Sequence, residues 1–116
     1  MQTNKVQGVA TSVWTDEGRT YVRYHSTNVV EFDRDTVTLR SGGWETVTTK
    51  RRMNQASEQF NLGYSVYQKK HQWFVRWYAL GSGWVSTPFK DGMQIPRRAK
   101  YWDAARGEWI ASGSDA

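Results

Sequence analysis

The chain of 116 residues has the size of one compact domain, so we expect residues 1–116 to form a single unit. It has no cysteine, which excludes disulfides, thiolate zinc sites and cysteine nucleophiles, while seven Trp, six Tyr and four Phe favour a β-rich core. The net charge of +5 is segregated into −1 for residues 1–49, +8 for residues 50–100 and −2 for residues 101–116. A positive field concentrated in this way favours a polyanionic partner, either nucleic acid or an acidic protein.

The first forty residues predict a meander of three or four antiparallel strands. Two strands flank TDEG, and the second, RTYVRYHS, alternates with a period of two, which is typical of a hairpin with one buried face. NVVEF and TVTLR follow on either side of DRD, so that Val37 and Leu39 are expected to face the core.

After the SGG break the spacing of apolar residues becomes helical. Met53, Ala56 and Phe60 recur at intervals of three and four, which predicts a central helix over about residues 49–61. YSVYQ and WFVRWYAL then flank KKHQ and predict a second hairpin.

The tail is less regular. Trp102, Ala105 and Trp109 share a helical face, which predicts a short C-terminal helix, and about 1–5 and 112–116 are expected to be frayed. The predicted fold is therefore α+β: a bent antiparallel sheet of five or six strands, one central helix packed on one face, and a short C-terminal helix.

Three stretches of the chain resemble a family of small domains of unknown function found mainly in tailed-phage genomes. They are YHSTNVVEF, SGGWETVTTKRRMNQAS and LGYSVYQKKHQWFVRW, so the resemblance covers about residues 24–77. The resemblance implies a phage-encoded protein that acts in the bacterial cytoplasm, and it supplies no catalytic residues. No apolar run approaches the roughly 20 residues of a membrane span, and the N-terminal residues lack the hydrophobic stretch of a signal peptide, which agrees with a cytoplasmic location without membrane association.

The entrance of the central helix carries the cations Lys50, Arg51 and Arg52. With Thr48 or Thr49 as the N-cap, these residues lie at the positive end of the helix dipole, where cations are destabilising. A phosphate bound there would reverse that cost, because free amides, hydroxyls and cations would all point at one charge. The alternative is that the side chains bend into solvent or pair with nearby glutamates.

The second hairpin is aromatic on both faces. One face, with Trp73, Val75 and Trp77, is the simpler candidate for the core. The other face and its turn supply Tyr67, Phe74 and Tyr78 for stacking on bases, and Lys69, Lys70 and Arg76 for following a nucleic-acid backbone. Burial of this second face beneath the tail helix is the alternative. The PRRAK cluster adds Arg97 and Arg98 to the positive field.

Motifs for catalysis or cofactor binding are absent from the sequence. His25, on one predicted strand face with Tyr21 and Arg23, is an acid–base candidate for a small ribonuclease, but a hydrogen-bonded surface histidine is the favoured interpretation. Two histidines are too few for an all-histidine zinc site, so we expect no metal and no cofactor.

We therefore expect a small, basic, phage-encoded nucleic-acid-binding module without catalytic function. The type of nucleic acid stays open. The alternative is a protein-interaction module that inhibits or modulates a host enzyme or defence system, because Trp and Arg are enriched at binding hot spots.

Overall fold

The structure is a computed structural model that describes residues 8–79, 81–97, 100–103 and 107–111. In chain order its elements are β1 (Thr11–Asp16), β2 (Arg19–Tyr24), β3 (Thr27–Phe32), β4 (Thr36–Leu39), α1 (Val47–Phe60), β5 (Tyr64–Lys69), β6 (Gln72–Ala79), β7 (Gly83–Pro88), β8 (Met93–Pro96), β9 (Lys100–Asp103) and β10 (Glu108–Ala111). The mixed α+β class predicted from the sequence is confirmed.

Five strands form the larger sheet, in the order β1, β2, β3, β4, β8, and each neighbouring pair is antiparallel. The predicted meander is confirmed, and Val37 and Leu39 are buried as expected. β8 returns from far along the chain and pairs with β4, so that Ile95 lies opposite Val37. Because this partner is distant in sequence, local alternation gave no sign of it.

Three strands, β5, β6 and β7, form a separate antiparallel sheet. The predicted second hairpin is confirmed, and its turn is Lys70-His71, with φ of 53° and 67°. The prediction of one sheet of five or six strands is wrong, because α1 comes between β4 and β5 in the chain and covers the outer edge of β5. The strands are thereby divided between two sheets.

The central helix begins earlier than predicted. Its N-cap is Thr46 rather than Thr48 or Thr49, and the Thr46 Oγ1 accepts a hydrogen bond from the backbone N–H of Thr49 at 3.2 Å. The helix ends at Phe60, followed by Asn61 in the left-handed conformation with φ of 55°, which agrees with the predicted stop.

Side chains of α1 occupy the place of a neighbouring strand along the edge of β5. Asn54 donates from Nδ2 to the Val66 carbonyl at 2.9 Å and accepts from the Val66 N–H at 2.8 Å. Ser57 likewise donates to the Tyr64 carbonyl at 2.6 Å and accepts from the Tyr64 N–H at 3.1 Å. The Tyr64 hydroxyl donates back to the Met53 carbonyl at 2.6 Å, and burial raises the pKa of that hydroxyl. The edge of β5 is therefore hydrogen bonded as if it lay inside a sheet.

One buried hydrophobic cluster draws on both sheets and the helix. Its members are Val22, Val29, Val30, Phe32, Val37, Leu39, Met53, Ala56, Leu62, Tyr64, Val66, Trp73, Val75 and Ile95. Phe60 packs on this cluster and contacts Phe32, with 5.0 Å between ring centroids. The predicted helix anchors Met53, Ala56 and Phe60 are thus confirmed.

The predicted C-terminal helix is wrong, because β9 and β10 form an antiparallel hairpin in which Trp109 lies opposite Trp102. Aromatic residues favour strands, and Gly107, with a φ of 67°, lies in the connection where a helix would need a right-handed residue. Ala105 and the segments expected to be frayed, about 1–5 and 112–116, lie outside the described residues.

The turn between β3 and β4 is organised by a carboxylate. Asp33 Oδ1 accepts from the backbone N–H of Thr36 at 2.9 Å and of Asp35 at 2.8 Å, and Oδ2 accepts from Arg19 at 3.1 Å. The Thr36 N–H, aided by these other donors, lowers the pKa of Asp33 below its usual value despite partial burial.

Replacing Asn54 is expected to weaken the attachment of the helix to β5. Asn54→Ala leaves the Val66 N–H and carbonyl without partners and should lower the free energy of unfolding by about 1–3 kcal/mol in urea titrations. Asn54→Asp should also destabilise, since a carboxylate oxygen would face the Val66 carbonyl. Glu58→Ala, on the exposed face of the same helix, is the control and should change stability by less than about 0.5 kcal/mol. Equal stability of Asn54→Ala and the control would contradict this role.

The lowered pKa of Asp33 predicts an acid-dependent loss of stability. The ionised carboxylate stabilises the fold above its unfolded-state pKa, and this contribution is lost as the pH falls below about 4 toward the folded-state pKa. The free energy of unfolding should therefore fall less steeply below pH 4 in Asp33→Asn than in the wild type. Arg34→Gln, which removes an exposed charge in the same turn, should keep the wild-type slope. Equal slopes for Asp33→Asn and the wild type would contradict the assignment.

Candidate functional site

The three-stranded sheet presents one face to the core and the other to solvent. Trp73 and Val75 point inward and are buried, as the sequence predicts, and Trp77 is partly buried with its indole N–H donating to Thr87 Oγ1 at 3.2 Å. Side chains alternate along a strand, so the neighbouring residues of β6 form the opposite face. We call this opposite face the outer face of the small sheet.

At one end of the outer face, Tyr67 of β5 and Phe74 of β6 are cross-strand partners. Their rings are stacked, with 5.6 Å between centroids and 20° between planes, and both residues are partly buried. The sequence-predicted stacking residues therefore lie side by side.

Farther along the same face, Arg76 lies between the two aromatic positions of β6. Its guanidinium carbon is 5.1 Å from the centroid of Trp84, which belongs to β7 and is 56% exposed. Tyr78 packs edge-to-face on the same indole, with 5.5 Å between centroids. Arg76, Tyr78 and Trp84 thus form a second aromatic group centred on a cation.

Cations mark the Tyr67 end of this face. Lys69 and Lys70 are exposed at the hairpin turn, next to the exposed His71, and the exposed Lys90 follows β7 at the same end of the sheet. A two-residue hairpin turn with positive φ at both positions normally favours Asn-Gly, so Lys70 and His71 occupy backbone positions that their side chains do not favour.

Sequence reasoning missed Trp84 and Lys90. The segment GSGW is interpreted from sequence as a turn, whereas in the structure Gly83 starts β7 and Trp84, Ser86 and Pro88 alternate with Val85 and Thr87. This alternation with a period of two is the sequence signal from which β7 could have been predicted.

A shallow depression of about 330 Å³ adjoins the outer face beside the C-terminal end of α1. Its lining includes Ser65, Arg76 and Trp84 from the sheet, with Glu58 and Asn61 from the end of the helix. The outer face is therefore continuous with a groove.

The cationic triplet at the helix entrance does not act as one group. The effect of the helix dipole is strongest in the first turn. Because α1 begins at Val47, Lys50 is its fourth residue, and Lys50, Arg51 and Arg52 all lie beyond that turn. Lys50 is partly buried and Arg51 is exposed. The predicted placement of all three at the positive end of the dipole is wrong.

Arg52 is instead a structural residue, only 9% exposed. Its Nε donates to Thr11 Oγ1 at 2.9 Å, its Nη1 donates to Gln55 Oε1 at 3.2 Å, and its guanidinium lies 5.7 Å from the centroid of the Tyr24 ring. These contacts tie α1 to β1 and β2, and they leave the guanidinium little access to a phosphate.

Arg97 is also engaged within the fold. Its Nη1 donates to the Asp33 carbonyl at 3.0 Å, its Nη2 donates to the Phe60 carbonyl at 3.2 Å, and the guanidinium lies 5.1 Å from the centroid of Phe32. Burial lowers the pKa of Arg97, although arginine stays protonated at neutral pH. Because Phe60 ends α1, the cation binds the negative end of the helix. Arg98 lies outside the described residues.

His25 does not share a strand face with Tyr21 and Arg23 as predicted, because it lies in the turn after β2 with a φ of 58°. It is exposed, its ring centroid is 4.4 Å from that of Tyr24, and its carbonyl accepts a hydrogen bond from Arg23 Nε at 3.2 Å.

Among the residues that the structure places, no three His, Asp or Glu side chains are grouped closely enough to hold a metal ion. Within the described ranges no helix has the length and apolar character that a membrane crossing requires.

These features define a small α+β protein with antiparallel sheets of five and three strands, a separate β9–β10 hairpin, and an aromatic, cationic outer face. The model of the Kyanoviridae Gp96 protein family matches residues 1–96, and the chain belongs to this family. The match confirms the resemblance to a small phage family of unknown function, and it extends beyond the 24–77 segment that carried the resemblance. No curated protein and no solved structure matches the chain.

Replacement of Arg97 should destabilise the fold. Arg97→Met keeps the length of the side chain but leaves the Asp33 and Phe60 carbonyls without this donor, so the free energy of unfolding should fall by about 1–3 kcal/mol. Arg51→Met, at an exposed position of α1, is the control and should change stability by less than about 0.5 kcal/mol in the same urea titrations. Stability of Arg97→Met equal to that of the control would show that the side chain is not a structural tie.

Proposed function

We propose that this phage protein binds single-stranded nucleic acid on the outer face of the small sheet and catalyses no reaction. The observation that carries the proposal is one solvent-facing surface on which two aromatic groups alternate with cations. Nucleic acid requires both features, because bases stack on rings while phosphates attract positive charge.

The aromatic groups supply two stacking positions. Phe74 and Tyr78 are four residues apart on β6, which corresponds to about 14 Å along the strand. Trp84 offers the largest exposed ring of the face, and its indole is already in contact with Arg76. Stacking of one base on an aromatic side chain contributes about 1–3 kcal/mol.

The cations supply the electrostatic attraction. Arg76 lies between the stacking positions, while Lys69, Lys70 and Lys90 lie at one end of the face, so a strand that crosses the rings meets positive charge at both places. Neutralising about four phosphates on a single strand gives a slope of about −3 in a plot of log affinity against log salt.

Exposed rings on a sheet favour single strands over duplexes. In a duplex the bases are stacked on each other, so protein rings cannot reach their faces, whereas unpaired bases can be splayed onto a sheet. DNA and RNA both present this chemistry. The proposed place of action is the cytoplasm of the infected bacterium.

The turn between β5 and β6 allows folding and binding to be separated. The double variant Lys70→Asn with His71→Gly puts the residues that the turn geometry favours at both left-handed positions, so stability should rise by about 0.5–2 kcal/mol. The same variant removes a cation from the face, so affinity for a single strand of about 12 nucleotides should fall and the salt slope should become less negative by about 0.7. Fluorescence anisotropy with labelled DNA and RNA strands, at several salt concentrations, measures both quantities.

Glu17→Asn is the matched control, because it creates the same Asn-Gly turn between β1 and β2 on the larger sheet, where φ is 49° and 79°. It should raise stability without lowering affinity. If the double variant keeps wild-type affinity and salt slope, the turn does not contact the strand. If wild-type protein binds no single strand at low salt, the proposed function is wrong.

A protein-interaction function is the second candidate, favoured by β1. This strand lies at the end of the larger sheet, and both Val13 and Trp14 are exposed although they point to opposite faces. Trp14 stacks on Tyr21 at 5.3 Å, which gives the edge a flat apolar surface suited to the addition of a partner strand. A partner from nuclease-treated host lysate that binds wild-type protein stoichiometrically, but not Trp14→Ser, would support this candidate.

A further inference from the structure

Two sequence stretches that are distant in the chain, YHST and SGGWETVTT, converge on one pocket in the folded protein. The pocket has a volume of about 410 Å³, within the roughly 300–1,000 Å³ of small-molecule sites. It lies between the turn that joins β2 to β3 and the loop that leads into α1, and it shares no lining residue with the outer face of the small sheet.

One wall of the pocket is held in place by hydrogen bonds to a carboxylate. Asp91 Oδ1 accepts hydrogen bonds from the backbone N–H of Ser41, from Ser41 Oγ at 3.0 Å and from the Gly42 N–H at 3.1 Å. Gly42 has a φ of 65°, and the space that a Cβ would occupy is filled by the side chain of Thr27. The loop and the β2–β3 turn are therefore in close contact, which gives the pocket a preformed shape.

An aromatic ring at the rim has no role in the core. Trp44 lines the pocket and is 69% exposed. Its backbone is fixed on both sides, because its N–H donates to the Ser41 carbonyl and its carbonyl accepts from the Thr46 N–H, each at 3.0 Å. A large exposed ring on a hydrogen-bonded stretch of backbone is suited to stacking on a flat ligand.

Across the lining, the polar groups are uncharged hydroxyls and one imidazole. Ser26 and Thr27 contribute hydroxyls, and His25 contributes its ring beside that of Tyr24, whereas the Ser41 hydroxyl is already bonded to Asp91 and to the Gly43 N–H. The described lining residues include no carboxylate, ammonium or guanidinium group. Such a lining favours a neutral planar molecule with hydrogen-bonding edges over a metal ion or an isolated phosphate.

We propose that this pocket binds a nucleobase, stacked on Trp44 and hydrogen bonded through its edge to the hydroxyls. A free nucleoside and an unpaired base of a bound strand present the same chemistry. The proposal does not depend on strand binding by the small sheet, because the two sites share no residue.

The test is titration with neutral nucleosides, namely adenosine, cytidine and uridine, followed by tryptophan fluorescence and NMR line shifts. Trp44→Ala should weaken nucleoside binding about tenfold, and Trp44→Phe should retain most of it, because a ring is still present. Val47→Ala is the control, since it also removes an exposed apolar side chain close to Trp44 in the chain but does not line the pocket, and it should change nucleoside affinity by less than about twofold. Thr27→Val should weaken binding while preserving the packing on Gly42.

The same variants tested on single-stranded oligonucleotides separate the two sources of the base. If Trp44→Ala lowers the affinity for nucleosides but not for oligonucleotides, the pocket binds free nucleosides. If it lowers the affinity for both, the pocket binds a base of the strand. Nucleoside binding by a protein that binds no oligonucleotide would support the pocket and contradict the proposed function. No saturable nucleoside binding at millimolar concentration, or equal losses of affinity in Trp44→Ala and Val47→Ala, would overturn the pocket proposal.

Discussion

Hydrogen bonds from Asn54 and Ser57 to the backbone of β5 hold the helix between two sheets, and the rest of the architecture depends on this contact. A strand edge exposes N–H and carbonyl groups that need partners, and here two helix side chains supply them where a fourth strand would otherwise pair. The inner face of the small sheet, with Trp73 and Val75, is thereby buried against the common core. Its outer face is turned toward solvent, although it carries the aromatic residues Tyr67, Phe74, Tyr78 and Trp84.

The fold also divides the positive charge that the sequence concentrates in residues 50–100. Arg52 and Arg97 connect elements of the fold, because their guanidinium groups donate hydrogen bonds to side chains and to backbone carbonyls. The cations at the turn of the small sheet, with Arg76 and Lys90, remain exposed and lie on or beside its aromatic face. Four cations of the basic segment are therefore gathered on or beside one surface, while Lys50 and Arg51 lie on α1.

The elements that could be predicted are those whose signal lies within a short stretch of sequence. Alternation identified both hairpins, and the spacing of Met53 and Ala56 identified the helix. The division into two sheets could not be predicted, because it depends on Asn54 bonding to β5, and a polar residue in a helix carries no sign of its partner. The predicted C-terminal helix was wrong for a related reason, since the spacing of Trp102 and Trp109 fits a hairpin as well as a helix. The aromatic face was predicted apart from Trp84, whereas the roles of Arg52 and Arg97 depend on distant contacts.

The central claim is that the outer face of the small sheet contacts the bases of a single strand. The most direct measurement is an NMR titration of isotope-labelled protein with a single-stranded oligonucleotide, which locates the contact residue by residue. The account predicts that the largest shift changes fall on Tyr67, Phe74, Arg76 and Trp84, with smaller changes at the Lys70 turn. Saturable binding with shift changes confined to α1 or β1, and none on the β5 to β7 sheet, would contradict it.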